Sequence, residues 1–140
     1  MRLRACFSRS GRGFRLRPFS FATIDSLRHM PLPLEITPKE VKRRQDSGEK
    51  LYLIDVREPQ EYALARLAGA QLIPLRTVPG VLQTLETLAD EGTLVVYCHH
   101  GVRSLNVANW LRDKGIEACQ SMSGGIDAWS LSVDPSVPRY

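Results

Sequence analysis

The chain has 140 residues, 43% of them hydrophobic and 24% charged, enough for one packed domain and ordinary for a globular protein. No apolar run approaches the roughly 18 residues that a membrane-spanning helix needs. The net charge of +4 is unevenly placed: residues 1–30 hold seven arginines against one acid, Asp25, whereas residues 31–140 hold 12 basic and 14 acidic residues, so nucleic-acid binding by a basic body is not expected.

The first element is therefore a leader, 1–30, rich in Arg, Ser and Phe. It lacks the apolar core of a secretory signal. Its composition fits a transit peptide directing the chain to an organellar matrix, a disordered tail, or an upstream extension before a true start at Met30. The body, 31–140, is expected to be the folded domain.

After Pro31 and Pro33, "LEI" is a candidate strand. "TPKE" then combines a capping Thr37, Pro38 at the first helical position and Glu40 three residues after the cap, which predicts a helix over 38–47 stopped by Gly48. "LYLIDV" (51–56) reads as a buried strand ending in an acid. "EPQEYALARL" (58–67) reads as a helix ending before Gly69, and "AQLIP" (70–74) as a strand ended by Pro74.

"VPGVLQTLETLADEG" (78–92) places Val81, Leu82, Leu85 and Leu88 at helical spacing, with Gly92 as the stop. "TLVVYC" (93–98) is the most apolar segment and reads as the central strand. "SLNVANWLRDKG" (104–115) places Leu105, Val107, Ala108 and Leu111 at helical spacing, with Ser104 as the expected N-cap. "EACQSM" (117–122) is a further strand and "IDAWSL" (126–131) a closing helix; Trp110 and Trp129 are expected in the core. Strands alternating with helices imply an α/β fold, a parallel sheet covered on both faces.

"YCHHGVRS" (97–104) gathers the reactive residues. In open α/β sheets ligands bind outside the carboxyl ends of the strands, where Cys98 falls. Backbone amides between Cys98 and the next helix can converge on one point, and the helix dipole adds positive potential that favours a thiolate. Gly101 permits a tight or left-handed turn. Arg103 offers a permanently charged fork to an oxyanion. These are the requirements of a nucleophile facing an anionic substrate.

His99 and His100 need separate weighing. A zinc site asks for four ligands in spaced pairs, and adjacent histidines rarely converge on one ion, so no metal and no cofactor is expected. The imidazoles flank the entrance, where they gain positive charge as pH falls through about 6.5. Cys119 reads as a buried, inert thiol. Three cysteines without paired spacing argue against a disulfide framework and for a reducing compartment, hence a cytoplasmic location unless the leader is a transit peptide. In "DVRE", Asp55 is expected to bond nearby loop amides and Arg57 to pair with Glu58, a structural role preferred to direct substrate contact.

Taken together, the 98–104 loop, "DVREPQEY" (55–62), "GAQLIP" (69–74) and "GGIDAW" (124–129) resemble a rhodanese, or sulfurtransferase, domain over about 35–140. The resemblance implies the rhodanese-like three-layer fold, a parallel sheet of about five short strands with helices on both faces. It implies that Cys98 attacks a sulfane sulfur donor, becomes a persulfide and yields the outer sulfur to a nucleophile. His99, His100, Gly101, Val102 and Arg103 would line the cradle, with Ser104 beside them, and Arg103 would attract an anionic donor such as thiosulfate. The loop runs six residues from Cys98 to Arg103, as in rhodaneses; the related phosphatases and arsenate reductases use one more. A non-catalytic binding or redox-sensing module is the alternative, and an arsenate reductase or phosphatase a more distant one.

One departure is "ARLAGA" (65–70), where the family often has "GHIPGA". The stretch "GGIDAWSLSVDPSVPRY" further resembles the tail of rhodanese domains fused to adenylyltransferases that thiolate sulfur-carrier proteins for molybdopterin, thiamine or tRNA sulfuration. It implies a protein-bound acceptor such as a sulfur-carrier protein; a desulfurase is a further candidate partner besides a small anionic sulfur donor, and on charge and hydropathy no nucleic-acid or membrane partner is expected.

Overall fold

A computed structural model describes residues 31–140; the readings of the leader, 1–30, lie outside the described residues. Five strands form one all-parallel sheet in the order β1-β5-β4-β2-β3. They are β1 (Glu35–Ile36), β2 (Leu51–Asp55), β3 (Gln71–Leu72), β4 (Thr93–Tyr97) and β5 (Cys119–Met122). Five α-helices connect or follow them: α1 (Pro38–Asp46), α2 (Pro59–Leu64), α3 (Leu82–Glu91), α4 (Val102–Asp113) and α5 (Gly125–Ser132).

After Thr93 the central strand carries only large, buried side chains, as suits a strand covered on both faces. Leu94, Val95, Val96 and Tyr97 are all fully buried. Successive side chains alternate between two cores. Leu94 and Val96 join Ile54, Leu85, Val107 and Leu111 beneath α3 and α4. Val95 and Tyr97 join Leu53, Val41, Ile126 and Trp129 beneath α1 and α5. Trp129 lies in the core as expected, and Trp110 packs partly buried against the other cluster.

α1 starts as its cap predicts, with the Glu40 amide donating to Thr37 Oγ1 at 3.2 Å. Three helices depart from expectation. α2 ends at Leu64, not Leu67, because Ala65 turns to extended backbone, and Ala65 and Leu67 enter the core. The helix expected over 78–92 begins with a 3-10 segment, Leu75–Val81, that contains Pro79, and becomes α-helical only at Leu82; proline removes a donor and crowds the preceding turn. α4 begins at Val102, capped by Gly101 in the left-handed region (φ 99°), so Ser104 is interior and buried, not the N-cap.

After β2 the chain steps outward to β3 and then returns to the other side of β2 as β4. That reversal opens a crevice between the carboxyl ends of β2 and β4. Asp55–Arg57 and Cys98 leave the sheet there, joined by the Val56 amide donating to the Tyr97 carbonyl at 3.1 Å. Among the described residues, no helix is long and apolar enough to cross a membrane.

Candidate active site

Cys98 follows the last residue of β4 and is 1% exposed. Its Sγ receives the amide of Gly101 at 3.1 Å and the amide of Ser104 at 3.4 Å. The Ser104 hydroxyl lies 3.5 Å from Sγ, close to the Gly101 carbonyl and 2.8 Å from the Ser121 hydroxyl of β5. A buried hydroxyl pair thus backs the thiol on its inner side. Val102 and Arg103 occupy the first two positions of α4, whose amides have no acceptor within a helix, so the loop opens on amide donors.

The loop keeps its carbonyls turned away from the sulfur. The amides of Ile126 and Asp127, at the start of α5, take the Cys98 and His99 carbonyls at 2.9 and 3.2 Å. This is why "GG" precedes that helix. Gly124 and Gly125 have φ of 73° and 61°, and a Cβ on Gly125 would overlap the carbonyl oxygens of Cys98 and His99. Gly101 is confined likewise, with the Gly124 nitrogen 3.0 Å from where its Cβ would lie.

The two histidines follow Cys98 in the loop. His100 is exposed, with Nδ1 4.0 Å from an Asp127 carboxylate oxygen. His99 is half-buried, its ring 3.9 Å from that of His100 and stacked on Tyr140 at 4.1 Å between centroids. Burial, and then the neighbouring His100, hold His99 below the usual imidazole value. Among the described residues, no group of three or more His, Cys, Asp or Glu is placed to hold a metal.

Arg103 stands at the mouth with its fork closed. Its two terminal nitrogens donate to the two carboxylate oxygens of Glu61 at 2.8 and 2.9 Å. That bidentate pair holds Glu61 down to about 2 and raises Arg103 further. Val102, the remaining loop residue, projects outward and is 69% exposed.

Asp55 and Arg57 are brought to the crevice but sealed within it, both 0% exposed. Asp55 accepts the Arg57 amide at 3.0 Å, the loop-amide bond expected of it, and Arg57 Nη2 at 2.6 Å. Arg57 therefore pairs with Asp55, not with Glu58. Glu58 instead stands at the N-cap of α2, its amide donating to Glu61 Oε2 at 3.0 Å. The remaining Arg57 donors reach the Ala65 carbonyl and the Tyr140 hydroxyl, both at 2.6 Å.

Two site residues were missed from the sequence. Glu61 reads locally as an ordinary capping residue, and nothing in "EPQEY" points across 42 positions to Arg103. Tyr140 is 83 positions from Arg57 and 79 from Glu61, yet its hydroxyl bonds both. Cys119, by contrast, is fully buried, and burial pushes its thiol up to about 12.

Comparison with known proteins places this geometry. The family described as "Rhodanese-like domain" matches residues 37–132. A chloroplastic rhodanese-like/PpiC domain-containing protein of Arabidopsis thaliana is 42% identical over 66% of this chain and 31% of its own length. The adenylyltransferase and sulfurtransferase MOCS3-1 of Zea mays is 34% identical over 91% of this chain and 28% of its own length. The chain thus spans about a third or less of these two curated relatives. The crystal structure of a rhodanese-like domain protein from Staphylococcus aureus superposes with a TM-score of 0.62 at 28% identity, covering 77% of this chain and 99% of that one.

Proposed function

The chain belongs to the rhodanese-like family, and from that premise we propose that it is a sulfurtransferase carrying a sulfane sulfur on Cys98. The observation that carries the reading is the convergence of the Gly101 and Ser104 amides on Sγ at 3.1 and 3.4 Å, at the carboxyl end of the central strand. Amides and a helix start stabilise a sulfur anion without a separate base.

The cycle has two steps. The Cys98 thiolate attacks the outer sulfur of a donor; with thiosulfate, the Sγ–S bond forms, the S–S bond of thiosulfate breaks, and sulfite leaves with the electron pair. A nucleophilic acceptor then attacks the outer sulfur and the Cys98 thiolate departs. Cyanide in this role yields thiocyanate. The free amides at the start of α4 hold the outer sulfur between the two steps, and Gly101 lets the backbone come close enough to do so. The tail resemblance, together with relatives named as joint adenylyltransferases and sulfurtransferases, supports a protein-bound acceptor of the sulfur-carrier type or a protein persulfide as donor.

Incubation with thiosulfate is expected to add one sulfur atom to Cys98, read by peptide mass spectrometry, and Cys98→Ser is expected to abolish cyanide-dependent turnover. Undiminished turnover in Cys98→Ser would refute the mechanism. Full rescue of a deletion strain by Cys98→Ala would favour a binding or redox-sensing module.

A further inference from the structure

The sulfurtransferase reading asks Arg103 to receive an anionic donor, but its fork is already engaged. Both terminal nitrogens face the Glu61 carboxylate in a bidentate pair, the strongest geometry open to an arginine. Glu61 is itself anchored. The Glu58 amide donates to its Oε2 at 3.0 Å, and the Tyr140 hydroxyl lies 3.1 Å from its Oε1. With the two arginine contacts, four donors meet a carboxylate that has about four acceptor directions.

Tyr140 holds this arrangement from the other side. Its hydroxyl touches Arg57, its ring lies flat on His99, and the adjacent Arg139 pairs with Asp127 at 2.8 Å. The tail is thus held at three points. The charge of Arg103, which lies near enough to Cys98 to interact with it, is offset by the Glu61 carboxylate, so a dianion brought to Arg103 would meet a carboxylate beside it.

We infer that Glu61 is a specificity-determining residue: by closing the fork of Arg103 it turns the Cys98 site away from small dianionic sulfur donors and towards donors that bring the sulfur with less charge. The inference rests on the sulfurtransferase reading. Tyr140 acts through Glu61, as a positioning residue.

The test compares loading of Cys98 by thiosulfate, a dianion, with loading by benzenethiosulfonate, a monoanion that transfers its outer sulfur and leaves as the sulfinate. Rates are read on the full chain by intact mass in a single turnover. Gln at position 61 can still accept the Glu58 amide through its side-chain oxygen, so Glu61→Gln removes the charge and retains the helix start. It is expected to raise thiosulfate loading about tenfold, through the apparent binding constant, with a clearly smaller gain for the monoanion, the size one unit charge exerts at the edge of a protein. Tyr140→Phe, which keeps the ring on His99, is expected to move the ratio in the same direction by less. Adding Arg103→Ala to Glu61→Gln is expected to cancel the gain.

An unchanged ratio of the two donors in Glu61→Gln, or a gain that survives loss of Arg103, would overturn the inference while Cys98 still loads. Failure of both donors to load any variant would remove the sulfurtransferase reading as well.

Discussion

Gly125 has no room for a side chain: its φ of 61° and the carbonyls of Cys98 and His99 both exclude one. Those carbonyls are bonded to the start of α5, and this bonding keeps the amide side of the loop facing Cys98. Gly125→Ala is therefore expected to reduce cyanide-dependent sulfur transfer by more than tenfold and to lower the melting temperature. Retention of wild-type turnover would show that the loop does not need this close approach. Glu61 makes a second prediction. Arg103 lowers its pKa in the folded chain, from 4.5 to about 2. A depressed carboxylate stabilises the fold fully above its unfolded value and loses that contribution as pH falls through the folded one. The melting temperature is thus expected to drop between pH 5 and pH 2, and to drop less in Glu61→Gln, as differential scanning calorimetry would read.

α2 is short because its neighbours claim the backbone that would have lengthened it. Ala65 gives its carbonyl to Arg57 at 2.6 Å, and its amide still closes the last turn on the Glu61 carbonyl. Arg57 thereby joins the end of β2, the end of α2 and the tail around a fully buried charge. Removing one partner of such a pair strands the other without water. Arg57→Ala is expected to cost about 3–5 kcal/mol, measured by urea unfolding. Replacing both partners, Asp55→Leu with Arg57→Met, is expected to recover much of the loss, since an apolar pair leaves no orphaned charge. The sequence placed the acid correctly at a strand end but assigned Arg57 to Glu58, the adjacent carboxylate. Glu58 is exposed at the N-cap of α2, whereas Asp55 is buried beside Arg57 and bonded to it.

The whole domain separates two cysteines that composition alone treats alike. Both are buried in the same core cluster. Cys119 opens β5 at its amino end, whereas Cys98 leaves β4 at the carboxyl end, where loops and a helix start converge. Cys119→Ala is accordingly expected to keep sulfur transfer within about twofold of wild type, a core change far from the loop amides. The persulfide should remain confined to Cys98 by peptide mapping.

Strand and helix alternation, the central place of β4 and the six-residue span from Cys98 to Arg103 were legible because each depends on residues close in the chain. Apolar spacing, caps and glycines act within a few positions. The same local reasoning misplaced the start of α4, where Ser104 looks like a cap until Ser121 and the Gly101 carbonyl draw it inside. What only the tertiary structure decided is who faces whom at the crevice. Glu61 on Arg103, Tyr140 on Arg57 and His99, and α5 on the loop carbonyls are contacts between segments that parallel crossovers bring together from distant parts of the chain. Their partners are chosen by the packing of a sheet covered on both sides, which forces buried charges and backbone groups to find whatever complement lies within reach.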